Sequence, residues 1–335
     1  MTIAVVDVGT SSVRALVVRA DGTTAHEVRR ATLPTSPHPG LVEFDPAAIA
    51  SAAIDLARSA VGSAGGGDAI GIATQRASTV VWDAETGAPV GPGLGWQDLR
   101  TVGRCLELRA AGIPVAPNMT ATKAEWLIAQ ADLAPERLRV GTVDSWVTWT
   151  LSDRAHHLTD ATNAAVTGLY DLAAGRWDEP LLERLGIPVS AMPTVVDTIG
   201  TAGIAHAVPG SPVIAAIAGD QQASLVGQGC VHPGDAKITF GTGAMLDVCL
   251  DRPPPATTPA GSQAVRSLPA REQLFGIAEF HAVQKAVLIA VGTAEDREQV
   301  LGTRSLLAAD AAVGIGIGPA EWVEHRTGGK TGRKE

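Results

Sequence analysis

The stretch VIAAIAGDQQASLVGQ, residues 213–228, joins an apolar run to a helical pattern through a carboxylate and two amides. The apolar run predicts a buried strand, and the spacing of the apolar residues that follow predicts a helix beginning near Asp220. Ligands of α/β folds bind at the carboxyl ends of the strands. The stretch therefore predicts an α/β fold and puts Asp220 at a strand end, where ligands of such folds bind.

Asp220 has two interpretations that the residues alone leave open. The helix dipole stabilises a carboxylate in the first turn by about 0.3–1 kcal/mol, so Asp220 could simply cap the helix. Ser, Thr or Asn would cap it equally well, and a cap needs neither the two glutamines that follow nor a strand end beneath it. The other interpretation is that Asp220 acts on a bound ligand.

The rest of the chain continues the alternation of strands and helices. The apolar run TIAVVDVG (2–9) predicts another buried strand. In EFDPAAIASAAIDLARSAV (43–61), Asp45 and Pro46 mark the start of a helix. Residues 120 to about 187 are predicted to be mainly helical, with loops.

Two glycine-containing turns have the form of phosphate-binding loops. In DVGTSS (7–12) the glycine lets the backbone turn sharply, and the hydroxyl and N–H groups after it suit a phosphate. Asp7, at the strand end, suits a hydrated Mg²⁺. The segment AKITFGTGAMLDVCL (236–250) predicts strand, tight turn and strand, and its FGTG (240–243) has the same form. A plain hairpin with a polar turn is the alternative for each.

Arg76 and Trp96 suit a small hydroxylated ligand. Arg76 follows the predicted buried strand DAIGIATQ (68–75), and Trp96 lies in the glycine-rich segment GLGWQDLRT (93–101). A guanidinium donates hydrogen bonds to hydroxyl oxygens, and an indole contacts the apolar face of such a ligand. The alternative is a surface arginine and a partly buried tryptophan.

Composition excludes several classes of protein. The chain has 335 residues, 45% of them hydrophobic, and a net charge of -9. Such an acidic globular chain is not expected to bind nucleic acid or an anionic membrane. Its three cysteines are widely spaced and match neither a disulfide framework nor a zinc pattern. With no basic-then-apolar start and no run of eighteen apolar residues, we expect a soluble, cytoplasmic protein.

These motifs together resemble the FGGY family of carbohydrate kinases, and within it the glycerol-kinase branch. The resemblance runs from residue 2 to about residue 250, and its segments follow the order of the family. They are DVGTSSVRA (7–15), GIATQRASTVVWDAETGAPV (71–90), GWQDLRT (95–101), TATKAEWL (120–127), VGTVDSWVTWTLS (140–152), HLTDATNAAVTGLYDL (157–172), WDEPLLERLGIP (177–188), GDQQASLVGQGC (219–230) and ITFGTGAML (238–246).

The resemblance implies an actin-like ATPase fold, in which two RNase-H-like domains enclose a cleft. Residues 1–230 would form the N-terminal domain with the substrate site and first phosphate loop. Residues 231–323 would form a shortened, incomplete C-terminal domain with the second phosphate loop, and 324–335 a disordered tail. The implied activity is phosphorylation of a hydroxyl of a small polyol or sugar, with ATP and Mg²⁺. The oligomeric state stays open, with a homodimer as one option.

The resemblance also implies roles for individual residues. Asp220 matches the general base and, with Asp7, the surroundings of Mg²⁺. The residues that match substrate contacts are Arg76, Trp96, Asn118, Asp220, Gln221 and Met245. The residues that match contacts to the ATP phosphates are Thr10, Ser11, Ser12, Arg14, Gly241, Thr242, Gly243 and Gly292.

Three departures from the glycerol-kinase pattern favour a different polyol or sugar. Ala77, Asn118 and Met245 stand where that branch has Glu, Tyr and Phe, and a lost carboxylate acceptor weakens binding by about 1.5–3 kcal/mol.

A further departure concerns the end of the chain. After about residue 278 the resemblance fades, and the glycine-rich adenine segment has no counterpart. A truncated or frameshifted chain, an internal deletion or a degenerate paralogue would each have this pattern. The alternative to a kinase is therefore a family remnant that binds sugar or nucleotide without turnover. An actin- or chaperone-type ATPase shares the fold but has no use for Arg76, Trp96 and GDQQ (219–222) together.

Overall fold

Strands and helices alternate along the chain and build a mixed α/β structure. The computed structural model describes residues 2–240 and 244–250, all within one compact unit. The strands are β1 (Thr2–Val8), β2 (Ser12–Arg19), β3 (Thr24–Ala31), β4 (Glu43–Phe44), β5 (Ala69–Thr74), β6 (Thr79–Asp83), β7 (Gly93–Leu94), β8 (Leu138–Thr142), β9 (Leu158–Asp160), β10 (Tyr170–Asp171), β11 (Arg176–Trp177), β12 (Thr194–Val196), β13 (Ile199–Ile204), β14 (Val213–Gly219), β15 (Ala236–Phe240) and β16 (Ala244–Val248). The α-helices are α1 (Pro46–Ser63), α2 (Val102–Ala110), α3 (Ala121–Ile128), α4 (Val143–Leu151), α5 (Ala161–Ala164), α6 (Glu179–Arg184) and α7 (Asp220–Gly227), with 3-10 turns at Pro135–Arg137 and Val189–Ala191.

The largest sheet has six strands in the order β13-β14-β5-β1-β2-β3. Its centre is parallel, because β1 and β14 both run parallel to β5, whereas β2, β3 and β13 pair antiparallel to their neighbours. Parallel strands are covered on both faces, which explains their nearly continuous apolar sequences. Side chains on both faces of β1 are accordingly buried. The carboxyl ends of β1, β5 and β14 lie side by side at one edge.

Helix α1 packs against β1, β2 and β3 on one face of this sheet, together with α4. It begins as the sequence predicts, because the Asp45 carboxylate accepts hydrogen bonds from the backbone N–H groups of Ala47 and Ala48 and Pro46 occupies the first turn. Its buried face includes Ile49, and the core there also contains Trp82 between the sheet and α4. This core covers one face of the sheet.

A second sheet, in the order β4-β7-β6-β8, lies beside the first and has a core of its own. That core combines apolar residues of the sheet with residues of α2, α3 and α6. The segment that was predicted to be mainly helical, 120–187, contains α3 to α6 but also β8 to β11. The prediction was therefore incomplete. β8 and β9 form by pairing with strands distant in sequence, whereas β10 and β11 are a hairpin of two residues each.

The stretch 213–228 folds as predicted into a strand, β14, and a helix, α7. The N-cap of α7 is Gly219, and Asp220 is the first helical residue. The segment 236–250 forms the antiparallel pair β15–β16. The turn residues Gly241–Gly243, Gly292, the remainder of the predicted second domain and the predicted tail lie outside the described residues. Within the described ranges, no helix is both long and apolar enough to cross a membrane.

Candidate active site

The carboxyl ends of three parallel strands bring together three residues that are distant in sequence. Asp7 belongs to β1, Arg76 follows β5 by two residues, and Asp220 follows β14 directly. The registers align these ends, because Asp7 lies opposite Ala73 of β5 and Gly219 lies opposite Thr74. Asp220 therefore lies beside Arg76, and the Asp7 carboxylate is close enough to Asp220 for its charge to act on it.

Asp220 is the central carboxylate of this group. Its Oδ1 lies 4.0 Å from Arg76 Nε and accepts a hydrogen bond from the backbone N–H of Gln221 at 2.7 Å. Burial raises the pKa of Asp220 to about 6; the Arg76 and Lys237 charges oppose this shift, and the Asp7 charge adds to it. The side chain is still 30% exposed, so a ligand can reach it. Because Gly219 is the N-cap, the Asp220 side chain is not the cap of α7.

Gly219 makes room for Arg76. A Cβ at this position would lie 2.4 Å from Arg76 Cδ and 2.8 Å from Gln222 Oε1. The Gly219 backbone N–H donates to Thr162 Oγ1 at 2.7 Å, and that hydroxyl donates to Asp160 Oδ1 at 2.9 Å. The end of β14 is thus held through Thr162 by the buried carboxylate of Asp160, the last residue of β9.

The turn after β1 is tied to the site by side chains. Arg14 Nη2 donates to Asp7 Oδ2 at 2.9 Å, and burial raises the pKa of Asp7 while Arg14 opposes that shift. The Gly9 N–H donates to the Ser12 carbonyl at 3.0 Å, which closes the turn. Thr10 Oγ1 accepts from Trp96 Nε1 at 3.3 Å, and Ser11 is exposed at the tip. The predicted phosphate turn and predicted substrate tryptophan are therefore in contact.

Two buried residues that the sequence did not single out connect these parts. Gln75 Nε2 donates to the Gly9 carbonyl at 3.2 Å, and Gln75 Oε1 accepts from Ser78 Oγ at 2.9 Å. The same Ser78 hydroxyl accepts from the backbone N–H of Trp96 at 3.0 Å. Both residues lie in the quoted segment 71–90, and the position of Gln75 beside Arg76 is the only hint that the sequence contains.

Lys123 is a further residue without a predicted role. It is fully buried on α3, and its Nζ donates to the Trp96 carbonyl at 3.2 Å. Burial lowers the pKa of Lys123 to about 8, and the Asp98 charge opposes that shift.

Ala77, which stands between Arg76 and Ser78, has φ of 61°, a conformation that is unfavourable for a residue with a Cβ. Strained backbone of this kind concentrates at functional sites.

Gln221 faces the β15–β16 pair. Its Oε1 lies 3.3 Å from Lys237 Nζ and 3.4 Å from Thr239 Oγ1. Met245 is half-buried and lies opposite Thr239 in the register, on the same pair of strands. Asn118, in contrast, is exposed in the loop before α3. The structure therefore groups most of the predicted site residues, whereas Asn118 lies at the surface.

Comparison with known protein families matches residues 2–227 to the N-terminal domain of the FGGY family of carbohydrate kinases. The chain belongs to this family. A curated relative of this FGGY chain is the glycerol kinase of Aromatoleum aromaticum, which is 42% identical over 261 residues. That match covers 72% of this chain and 53% of the relative, so the chain spans about half the length of the curated relatives it matches.

Solved structures of FGGY kinases have the same fold. Plasmodium falciparum glycerol kinase with ADP superposes with a TM-score of 0.69 at 25% identity, covering 73% of this chain and 53% of that chain. Gluconate kinase from Lactobacillus acidophilus superposes with a TM-score of 0.67 at 18% identity, covering 76% and 55%, and shows the fold alone. The α/β, actin-like ATPase fold that the resemblance implied is confirmed by these similarities.

Proposed function

We propose that the chain provides the acceptor site of an ATP-dependent kinase that phosphorylates a hydroxyl of a small polyol or sugar, with Asp220 as general base. The observation that carries this proposal is the carboxylate of Asp220, whose pKa is raised to about 6 at the meeting point of three strand ends. A general base works best when its pKa lies near the working pH. Asp220 is mostly ionised at pH 7 and can still accept a proton.

Each residue at the site has a part in this reaction. Asp220 accepts the hydrogen bond of the substrate hydroxyl and takes its proton as the oxygen becomes a nucleophile. Arg76 and Gln221 hold neighbouring oxygens of the substrate, and the indole of Trp96 covers its apolar face. Phosphoryl transfer requires mainly positioning and charge stabilisation, which a preorganised set of this kind supplies.

ATP and Mg²⁺ are the partners that this chemistry requires. Bound ATP supplies the phosphoryl group, and Mg²⁺ neutralises phosphate charge. The residues fit such a cation, because Asp7 and Asp220 are close enough that the charge of Asp7 raises the Asp220 pKa. In the described part of the chain no group of three or more His, Cys, Asp or Glu side chains could hold a metal. Mg²⁺ would therefore take one or two carboxylates together with phosphate oxygens and water, which is its usual ligand set.

The phosphate contacts are proposed on the resemblance. Thr10 and Ser11 lie in the turn between β1 and β2, and Ser12 and Arg14 lie on β2. Their proximity to Asp7 and Trp96 supports the proposal. Gly241, Thr242, Gly243 and Gly292 keep the same proposed role, although they lie outside the described residues. Asn118 and Met245 are proposed to line the outer part of the substrate site.

The relatives support this function. The chain is similar to a glycerol kinase over 261 residues, and the similar Plasmodium falciparum enzyme was solved with ADP. The acidic net charge of -9 argues against nucleic acid as a partner. We propose the cytoplasm as the site of action, since phosphorylation of a small metabolite by ATP takes place there. A second candidate, binding without turnover, is favoured by the match to only about half of each relative.

The deciding experiment measures ATP consumption with Mg²⁺ against glycerol, ketoses, pentitols and tetritols. Turnover with one of them supports the kinase and identifies its substrate. Binding of a polyol or of ATP in calorimetry, without turnover for any member of the panel, would favour the second candidate. Neither binding nor turnover, from a folded protein, would refute both.

Asp220→Asn is expected to abolish phosphorylation and to leave folding and polyol affinity largely intact. The amide keeps the size of the carboxylate but cannot accept the hydroxyl proton, and removal of a general base typically costs 10²–10⁴-fold in rate. The matched control is Asp55→Asn. Asp55 is an exposed carboxylate on α1 that forms an ion pair with Arg30 of β3. Unchanged turnover in Asp220→Asn would exclude Asp220 as the base.

A further inference from the structure

Lys237 is a buried cation outside the residues assigned so far. It lies on β15 with a side chain that is 3% exposed. Its Nζ donates to Thr239 Oγ1 at 2.8 Å and to Gln221 Oε1 at 3.3 Å, and lies 3.3 Å from Asp247 Oδ2. An ammonium has three donors, and burying it is costly unless they are matched. Here two hydrogen-bond acceptors and one carboxylate in ion-pair contact surround it.

The acceptors belong to separate elements. Gln221 is in the first turn of α7, Thr239 is on β15, and Asp247 lies directly opposite Lys237 on β16. The ammonium therefore connects the β15–β16 pair to the helix turn that begins with Asp220. The two strands flank the sequence positions that are proposed as the second phosphate loop.

Lys237 also determines which way the Gln221 carboxamide points. Because lysine has donors only, the oxygen of the carboxamide must face it. The Thr239 hydroxyl approaches the same oxygen at 3.4 Å. The two N–H donors of Gln221 Nε2 then lie on the opposite side of the carboxamide, away from Lys237. An isolated glutamine could present either end to a ligand, but this one is fixed as a donor.

We propose that Lys237 is a positioning residue that fixes Gln221 as a hydrogen-bond donor to the substrate. The proposal rests on the proposed function in that Gln221 contacts the polyol or sugar. Arg76 is also a donor only, so the oxygens next to the reacting hydroxyl are recognised as acceptors, and Asp220 alone accepts. Substrates with a hydroxyl or carbonyl oxygen at that place fit, whereas an ammonium group there is rejected.

The first test is a double-mutant cycle on the full chain with the polyol identified by the panel. Lys237→Met removes the donors and keeps the length of the side chain. We expect it to raise the KM for the polyol roughly five- to tenfold, the effect of one hydrogen bond, with kcat within about twofold. Lys237→Met combined with Gln221→Ala should bind no worse than Gln221→Ala alone. Multiplying losses would overturn the proposal.

Two further variants separate orientation from folding. Gln221→Glu keeps one oxygen toward Lys237 and puts a second oxygen in place of the N–H donors, so it should fold normally and lose affinity for the polyol. Asp247→Asn is the matched control, since it retains an acceptor for Lys237 and should leave the KM within about twofold. Wild-type affinity in Gln221→Glu would overturn the donor assignment.

A ligand-free measurement keeps the proposal testable if no polyol is turned over. The ¹H–¹⁵N resonances of the Gln221 side-chain amide can be assigned by their loss in Gln221→Glu. We expect them to shift in Lys237→Met and to be retained in Asp247→Asn. An unchanged amide signal in Lys237→Met would overturn the role of Lys237, whereas silence in the substrate panel alone would count only against the proposed function.

Discussion

At Gly219 the absence of a side chain lets Arg76 lie across the end of β14. We expect Gly219→Ala to push Arg76 away from Asp220 and to destabilise the fold by about 1–3 kcal/mol, the usual cost of overpacking. Affinity for the polyol should fall as well. Urea unfolding and the KM for the substrate measure the two effects.

Gly62→Ala is the control for that substitution. No atom lies within 4 Å of the position that its Cβ would take, and Gly62 lies within α1. Alanine is the better helix former, so this variant should gain up to about 1 kcal/mol. Equal behaviour of the two variants would show that the contact between Gly219 and Arg76 has no consequence.

The raised pKa of Asp220 predicts how the proposed kinase activity depends on pH. The proposed base must be ionised to act, so kcat/KM should fall tenfold for each pH unit below about 6 and level off above it. Because the Arg76 charge lowers this pKa, Arg76→Met should move the inflection to higher pH. A profile that is flat from pH 5 to 7 would contradict the assignment of the base.

Asp144 and His157 make the free energy of unfolding depend on pH, and their two effects have opposite signs. Burial raises the Asp144 pKa to about 7, so between about pH 4 and 7 only the folded state holds this proton, and rising pH destabilises it. Burial lowers the His157 pKa to about 3. Between about pH 3 and 6.5 only the unfolded state therefore holds the imidazole proton, and rising pH stabilises the fold. The two contributions oppose each other.

Asp144→Asn removes the first contribution and leaves the second. The free energy of unfolding of this variant should therefore rise more steeply with pH than that of the wild type, by at most about 1.4 kcal/mol per pH unit. Urea unfolding at a series of pH values between 4 and 6.5 measures the slopes. Parallel curves for the two proteins would show that Asp144 is ionised in the folded state.

Among the elements, α1 shows how a local pattern is translated into structure. Asp45 caps it through two backbone N–H groups, so Asp45→Ala should destabilise the protein by about 0.5–2 kcal/mol. Asp55→Ala, which removes an exposed ion pair between this helix and Arg30 of β3, should cost less than loss of the cap. A larger loss for Asp55 would contradict the role of the cap.

The elements that the sequence predicted are those whose pattern is local. β1, β14 and α1 have continuous apolar runs or a clear cap, and the strand ends predicted that Asp7 and Asp220 belong to a site. The strands β8 and β9 escaped prediction because they pair with strands distant in sequence, and β10 and β11 are too short to show a period. Gln75, Lys123 and Lys237 escaped it because each forms a hydrogen bond with a residue 16 or more positions away.

For the molecule as a whole, the order of the strands is the decisive feature. β1 and β5 come from the first quarter of the chain, and β14 joins β5 only after the second sheet and its helices have intervened. The candidate site is incomplete until β14 pairs with β5, because Asp220 directly follows β14. Recognition of substrate and completion of the main sheet therefore depend on the same pairing.

During synthesis this topology imposes a delay. At roughly 5–20 residues per second, the ribosome finishes β14 on the order of ten seconds after β5. Until then β5, with the sequence AIGIAT, has an unpaired backbone edge on the side that β14 will occupy. An apolar open edge is a template for pairing with other chains. The nascent chain is thus most in need of a chaperone between the emergence of residue 74 and that of residue 219.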